Sequence, residues 1–123
     1  MLAWQFSLDE TQSILIVKTE GTLDIEAATQ MRNEGAAMIR QTGVLRCLLD
    51  HRALKGDTLS TLDIYGLPQR YKELGISHRF KMAVVVPERF RRNMLFFETV
   101  CRNNGYQVSV FFDCGEALAW LLN

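Results

Sequence analysis

The sequence predicts an α/β fold: a five-stranded mixed sheet with elements in the order ββαβαβαβα, formed by a single domain over residues 1–123. Three observations predict it. Two apolar segments near the N-terminus are separated only by a short polar turn, which reads as an antiparallel hairpin. Three further apolar runs, at 44–50, 80–86 and 106–112, alternate with segments whose apolar residues recur at helical spacing. Gly43, Gly75 and Gly105 stand where helices should end, and Pro87 where a strand should end.

Leu2, Trp4, Phe6 and Leu8 alternate with Ala3, Gln5 and Ser7, the period of a strand with one wet face. Residues 9–13 make a polar turn. Residues 13–19 (SILIVKT) are apolar on both faces, so the second strand lies deeper in the sheet. Thr22 or Asp24 caps a first helix, whose apolar side includes Leu23, Ala27, Met31 and Ile39. Residues 44–50 (VLRCLLD) form the third strand, and residues 51–58 a polar loop containing Gly56.

Ser60 and Asp63 have the spacing of a capping box for the next helix. That helix is interrupted near Gly66, and Pro68 suits the first turn of its second segment. Residues 80–86 (FKMAVVV) form a central, buried strand. Phe90, Met94, Phe97 and Cys101 then fall on one helical stripe. Tyr106, Val108, Val110 and Phe112 alternate with Gln107 and Ser109, which predicts a half-exposed fifth strand. Asp113 and Glu116 cap a last helix carrying Leu118, Leu121 and Leu122. Strands joined through helices run parallel with right-handed crossovers. The first and last strands alternate most cleanly and are the expected edges.

Composition narrows the function. Fourteen Lys and Arg balance 14 Asp and Glu, so the basic excess of a general nucleic-acid binder is missing. Cys47, Cys101 and Cys114 are odd in number and none are at CxxC spacing. A disulfide framework, a zinc site or another metal is therefore not expected, nor is a cofactor. No apolar run approaches a membrane span. No basic segment precedes the apolar N-terminal residues, so a cytoplasmic location is expected.

Candidate sites are few. Ser60 reads first as a helix cap, and second as a position where free amides favour a phosphate. Ligands of open α/β sheets sit beyond the carboxyl ends of the parallel strands. Chain order brings His51, Arg52, Arg89, Arg91 and Arg92 towards that end, where they would hold an anion such as a phosphate or lipid headgroup. The alternative is a solvated cationic face. Leu95 falls off the core stripe of its helix, with Phe96 on the flank. With Tyr65 and Tyr71 they suggest a partner surface or a homodimer contact. Asp50, His51 and Ser60 are the residue types of a hydrolytic triad. Adjacent Asp50 and His51 point to opposite faces of a strand, and no GxSxG elbow is present.

Gly21-Thr22-Leu23, Leu48-Leu49-Asp50-His51-Arg52 and Asp63-Ile64-Tyr65-Gly66-Leu67-Pro68 stand at the joints of this element order. The whole chain resembles the STAS-like fold, named for sulphate transporters and anti-sigma-factor antagonists. It resembles most the stand-alone bacterial, sporulation-antagonist-like proteins, whose superfamily includes the CRAL-TRIO lipid-binding domains. The resemblance implies a non-enzymatic signalling module that works through a protein partner. It implies phosphorylation near the start of the second helix, where Ser60, Thr61 and Thr58 are the candidates. The compact Asp-Ser-Ser-Gly pattern of those antagonists is absent from Thr58-Leu59-Ser60-Thr61-Leu62-Asp63. A small-ligand or lipid carrier is the alternative implied by the superfamily, and an uncharacterised hydrolase is a third reading.

Overall fold

The computed structural model describes residues 1–123. Strand β1 (Ala3–Asp9) pairs antiparallel with β2 (Ile14–Leu23), so Trp4 faces Thr19 and Phe6 faces Val17. Asp9 closes the turn by accepting the Gln12 backbone N–H at 3.1 Å, and Ser13 takes a left-handed φ of 57°. Helix α1 (Ile25–Thr42) starts at Asp24, whose carboxylate accepts the Ala27 N–H at 3.0 Å, and stops at Gly43 with φ 73°.

Strand β3 (Arg46–Asp57) is followed by two short helices, α2 (Thr61–Tyr65) and α3 (Leu67–Glu73), then by β4 (Lys81–Val85). A 3₁₀ turn (Glu88–Phe90) leads into α4 (Arg91–Asn103). Strand β5 (Gln107–Phe111) and helix α5 (Cys114–Leu122) complete the chain.

The five strands lie side by side in chain order, β1-β2-β3-β4-β5, and all pairs after the hairpin are parallel. This order determines where the helices go. Each right-handed crossover steps in the same direction, so α1, the α2–α3 pair and α4 all lie on one face. Helix α5 follows the last strand and turns under the other face. Strand register makes two matching rows of side chains. Val17, Leu49, Val84 and Val110 face α1–α4, whereas Ile16, Leu48, Ala83 and Ser109 face α5. The larger core lies on the first face and a smaller one, centred on Ala83, Val85, Ala117 and Leu121, on the second.

Three expectations are corrected. Residues 51–58 do not form a polar loop, because β3 continues to Asp57. Residues Ala53, Leu54, Gly56 and Asp57 pair with Glu20, Gly21, Thr22 and Leu23 of an equally extended β2. Register shifts between Lys18 and Glu20, and between Gly21 and Thr22, let this polar segment remain paired. Arg52, Ala53 and Lys55 face solvent while His51 and Leu54 are buried. Strand β5 is not half-exposed: Val108, Ser109 and Val110 are all buried, because α5 covers the second face. The stripe beginning at Phe90 is helical only from Arg91 onwards, since the segment after Pro87 first winds as a 3₁₀ turn.

Candidate functional site

Strand alternation separates the neighbours Asp50, His51 and Arg52. Asp50 and Arg52 lie on the α5 face, where the guanidinium grips the carboxylate at 2.9 and 2.8 Å. The Arg52 hydrogen bonds hold the Asp50 carboxyl below the usual range, against the effect of burial. His51 points the other way, into the larger core, and is only 2% exposed. Its Nδ1 lies 2.6 Å from the Thr19 hydroxyl, which also reaches the Asp50 carbonyl oxygen at 3.3 Å. Burial pushes its pKa down to about 4, with the Asp50 charge opposing, so the ring is neutral at pH 7. Asp50 and Ser60 lie apart from this imidazole, and no triad forms.

Ser60 is the N-cap of α2. Its hydroxyl accepts the Asp63 N–H at 3.1 Å, and the Asp63 carboxylate accepts the Ser60 N–H at 2.9 Å. This closes the capping box that the spacing predicts. Thr61 begins the helix and is exposed. Thr58 is tethered to the end of β2, where its N–H and hydroxyl both reach the Leu23 carbonyl oxygen. Two residues of α2 stand out from the surface: Leu62 is 82% exposed and Tyr65 70%. They are three residues apart and share one helical face.

The remaining cations do not converge. Arg89 donates to the Leu54 carbonyl oxygen at 2.5 Å and stacks over Phe90 at 4.7 Å. Arg91 pairs with Glu88 at 2.8 Å and lies 4.5 Å over Phe112. Arg92 is exposed. The expected interface residues also divide. Leu95 and Phe96 are half-buried and pack against the larger core. Tyr71 packs edge-on to Tyr106, with ring centroids 5.6 Å apart. Of the four, Tyr65 alone projects into solvent.

A cavity of about 140 Å³ opens between the sheet and the helices of the first face. It exists because α1 presents small residues there: Ala28, Gly35 and Ala36 contribute to its lining. Leu49 and Met82, on the central strands β3 and β4, consequently keep accessible surface. The wall is apolar except for a few groups, among them Arg32, His51, Asp57 and Asn93. Asp57 accepts the Leu59 N–H at 3.0 Å and is reached by Asn93 Nδ2 at 3.4 Å. Sequence reasoning missed Arg32. Its signal is position: Arg32 lies four residues from both Ala28 and Ala36, in the middle of the buried stripe of α1.

The chain matches no family profile and no curated protein sequence. Solved structures do match over nearly its whole length. An anti-sigma factor antagonist from Mycobacterium paratuberculosis superposes with a TM-score of 0.70 at 10% identity, over 100% of this chain and 96% of that one. The anti-sigma factor antagonist SpoIIAA in its unphosphorylated form gives 0.63 at 18% identity, over 96% and 95%. An uncharacterised Shewanella loihica protein with a SpoIIAA-like fold gives 0.59 at 21% identity, over 98% and 95%. The fold is thus SpoIIAA-like, the STAS-like architecture that the sequence resembles.

Proposed function

We propose that this chain is a non-enzymatic regulatory module that acts by binding a protein partner through the corner formed by the end of β3 and helix α2. The exposed pair Leu62 and Tyr65 carries this reading. Two large apolar side chains projecting from a five-residue helix add little to folding, but they suit insertion into a partner's pocket. The fold shared with anti-sigma factor antagonists supports the same reading. Ser60 lies at the base of this helix, and its exposed hydroxyl is the proposed site of regulation by phosphorylation, ahead of Thr61 and Thr58. A phosphate there would bring about two negative charges next to the Asp63 carboxylate. The capping box would open and α2 would be displaced.

Substitution at the corner tests this proposal. Leu62→Asp with Tyr65→Ser should abolish association with the partner while leaving the melting temperature unchanged, and Ser60→Asp should alter association in the same assay. Unchanged association in the double variant would exclude the corner as the binding surface.

A second reading, a carrier of small ligands, is favoured by one observation: the open apolar cavity beneath α1. The cation at that cavity is Arg32, not Arg52, Arg89, Arg91 or Arg92.

A further inference from the structure

We propose that the cavity binds a small monocarboxylic acid with a compact apolar body, an aromatic acid of benzoate size, and that Arg32 holds its carboxylate. The proposal rests on the ligand reading of the cavity and adds to it a ligand class and a residue.

Size sets the first limit. A cavity of about 140 Å³ compares with dry engineered cavities of about 150 Å³ that take up benzene. That volume is of the size a single ring needs and is small for a long acyl chain. The walls suit a ring as well: Leu49, Met82, Val84, Met94 and Phe97 are apolar and come from three elements of the fold.

Charge sets the second limit. Arg32 is half-buried at the cavity wall, and burial is the main cause that lowers its pKa. Its polar neighbours are the Tyr71 hydroxyl and a second cation, Arg70. No carboxylate pairs with it: the ion pairs of the chain are Arg52–Asp50, Arg91–Glu88 and Arg102–Glu98. The one acidic lining residue, Asp57, is already engaged by Leu59 and Asn93. A half-buried guanidinium beside a second cation and without a counter-charge is partly desolvated, and a bound carboxylate would offset that cost with paired hydrogen bonds.

A third observation is independent of Arg32. His51 lines the same cavity and is 2% exposed, with Nδ1 engaged by Thr19. In either tautomer Nε2 has no protein partner. No fully buried side-chain nitrogen or oxygen in the chain lacks a partner, so the unpartnered Nε2 keeps a little accessible surface, where a ligand or its accompanying water can reach it.

The test compares benzoate with benzyl alcohol, its neutral counterpart, by following methyl and amide NMR shifts in the full chain at pH 7. Both probes should bind. Benzoate should bind about tenfold more tightly, the difference of about 1.4 kcal/mol expected for one charge-assisted contact. Arg32→Met should erase that preference while leaving benzyl alcohol binding unchanged. Ala36→Leu should abolish binding of both, and Arg92→Met should change nothing. Benzyl alcohol binding without a benzoate preference, or a preference that survives Arg32→Met, would overturn the role of Arg32 and leave the cavity a ligand site. Failure of both probes on the native chain would overturn the ligand reading itself.

Discussion

His51 and Thr19 tie the two longest strands together: the imidazole Nδ1 and the threonine hydroxyl lie 2.6 Å apart across β3 and β2. The contact sits where the β2–β3 register shifts, between Lys18 and Glu20. It satisfies two polar groups in an otherwise apolar layer. Thr19→Val preserves shape but leaves the imidazole unpartnered, and it should destabilise the fold by about 1–3 kcal/mol. Urea unfolding at pH 7 measures this directly.

The same histidine gives the fold an acid limit. Its folded pKa is lowered to about 4 from 6.5, so the unfolded chain takes up the proton first. The stability tied to the neutral ring is fully present above pH 6.5. It falls as pH drops towards 4, by up to about 3 kcal/mol over that window. Asp50, whose carboxyl is lowered by Arg52, adds its own loss only at still lower pH. Unfolding free energies measured from pH 7 to pH 4 should decline steadily in the native chain and stay flatter in His51→Gln.

Gly21 and Gly43 have similar left-handed φ values, 93° and 73°, in different surroundings. A Cβ at Gly21 would collide with the Met1 carbonyl, while one at Gly43 meets only open space. Gly43→Ala should therefore cost about 1 kcal/mol of backbone strain. Gly21→Ala should cost at least about 2 kcal/mol, because the N-terminal segment must also shift. Thermal melts of the two variants decide between these outcomes.

Arg32→Met removes a half-buried charge that has no counter-ion and leaves a side chain of similar length. The variant should be as stable as the native chain or more stable by up to about 1 kcal/mol. A loss of more than about 1 kcal/mol in chemical denaturation would give Arg32 a structural role.

Most of the fold is legible in the sequence because its signals are local. Asp24, Ser60 and Asp113 all cap helices through their own side chains, and the element order follows from apolar periodicity. The extension of β3 through Arg52, Lys55 and Asp57 is not legible. Those residues have the composition of a loop, and only the partner strand and its register shifts hold them in the sheet. The burial of Ser109 likewise depends on α5 returning under the far face, a long-range event. The site divides in the same way. Ser60 as a cap and Tyr65 as an exposed aromatic follow from local pattern, whereas the cavity depends on the spacing between α1 and the sheet. Arg89, Arg91 and Arg92 form a cluster in sequence only: in three dimensions Arg89 reaches Leu54, Arg91 reaches Glu88 and Arg92 faces solvent.

The α2 corner is the proposed protein-binding surface. Photo-crosslinking tests it most directly, with a photoreactive residue at position 62 and a control probe at exposed Ala119 on α5. One discrete protein adduct is expected from position 62, lost when Tyr65→Ser is added and absent from position 119. Equal labelling from both positions, or an adduct that persists in the Tyr65→Ser background, would contradict it.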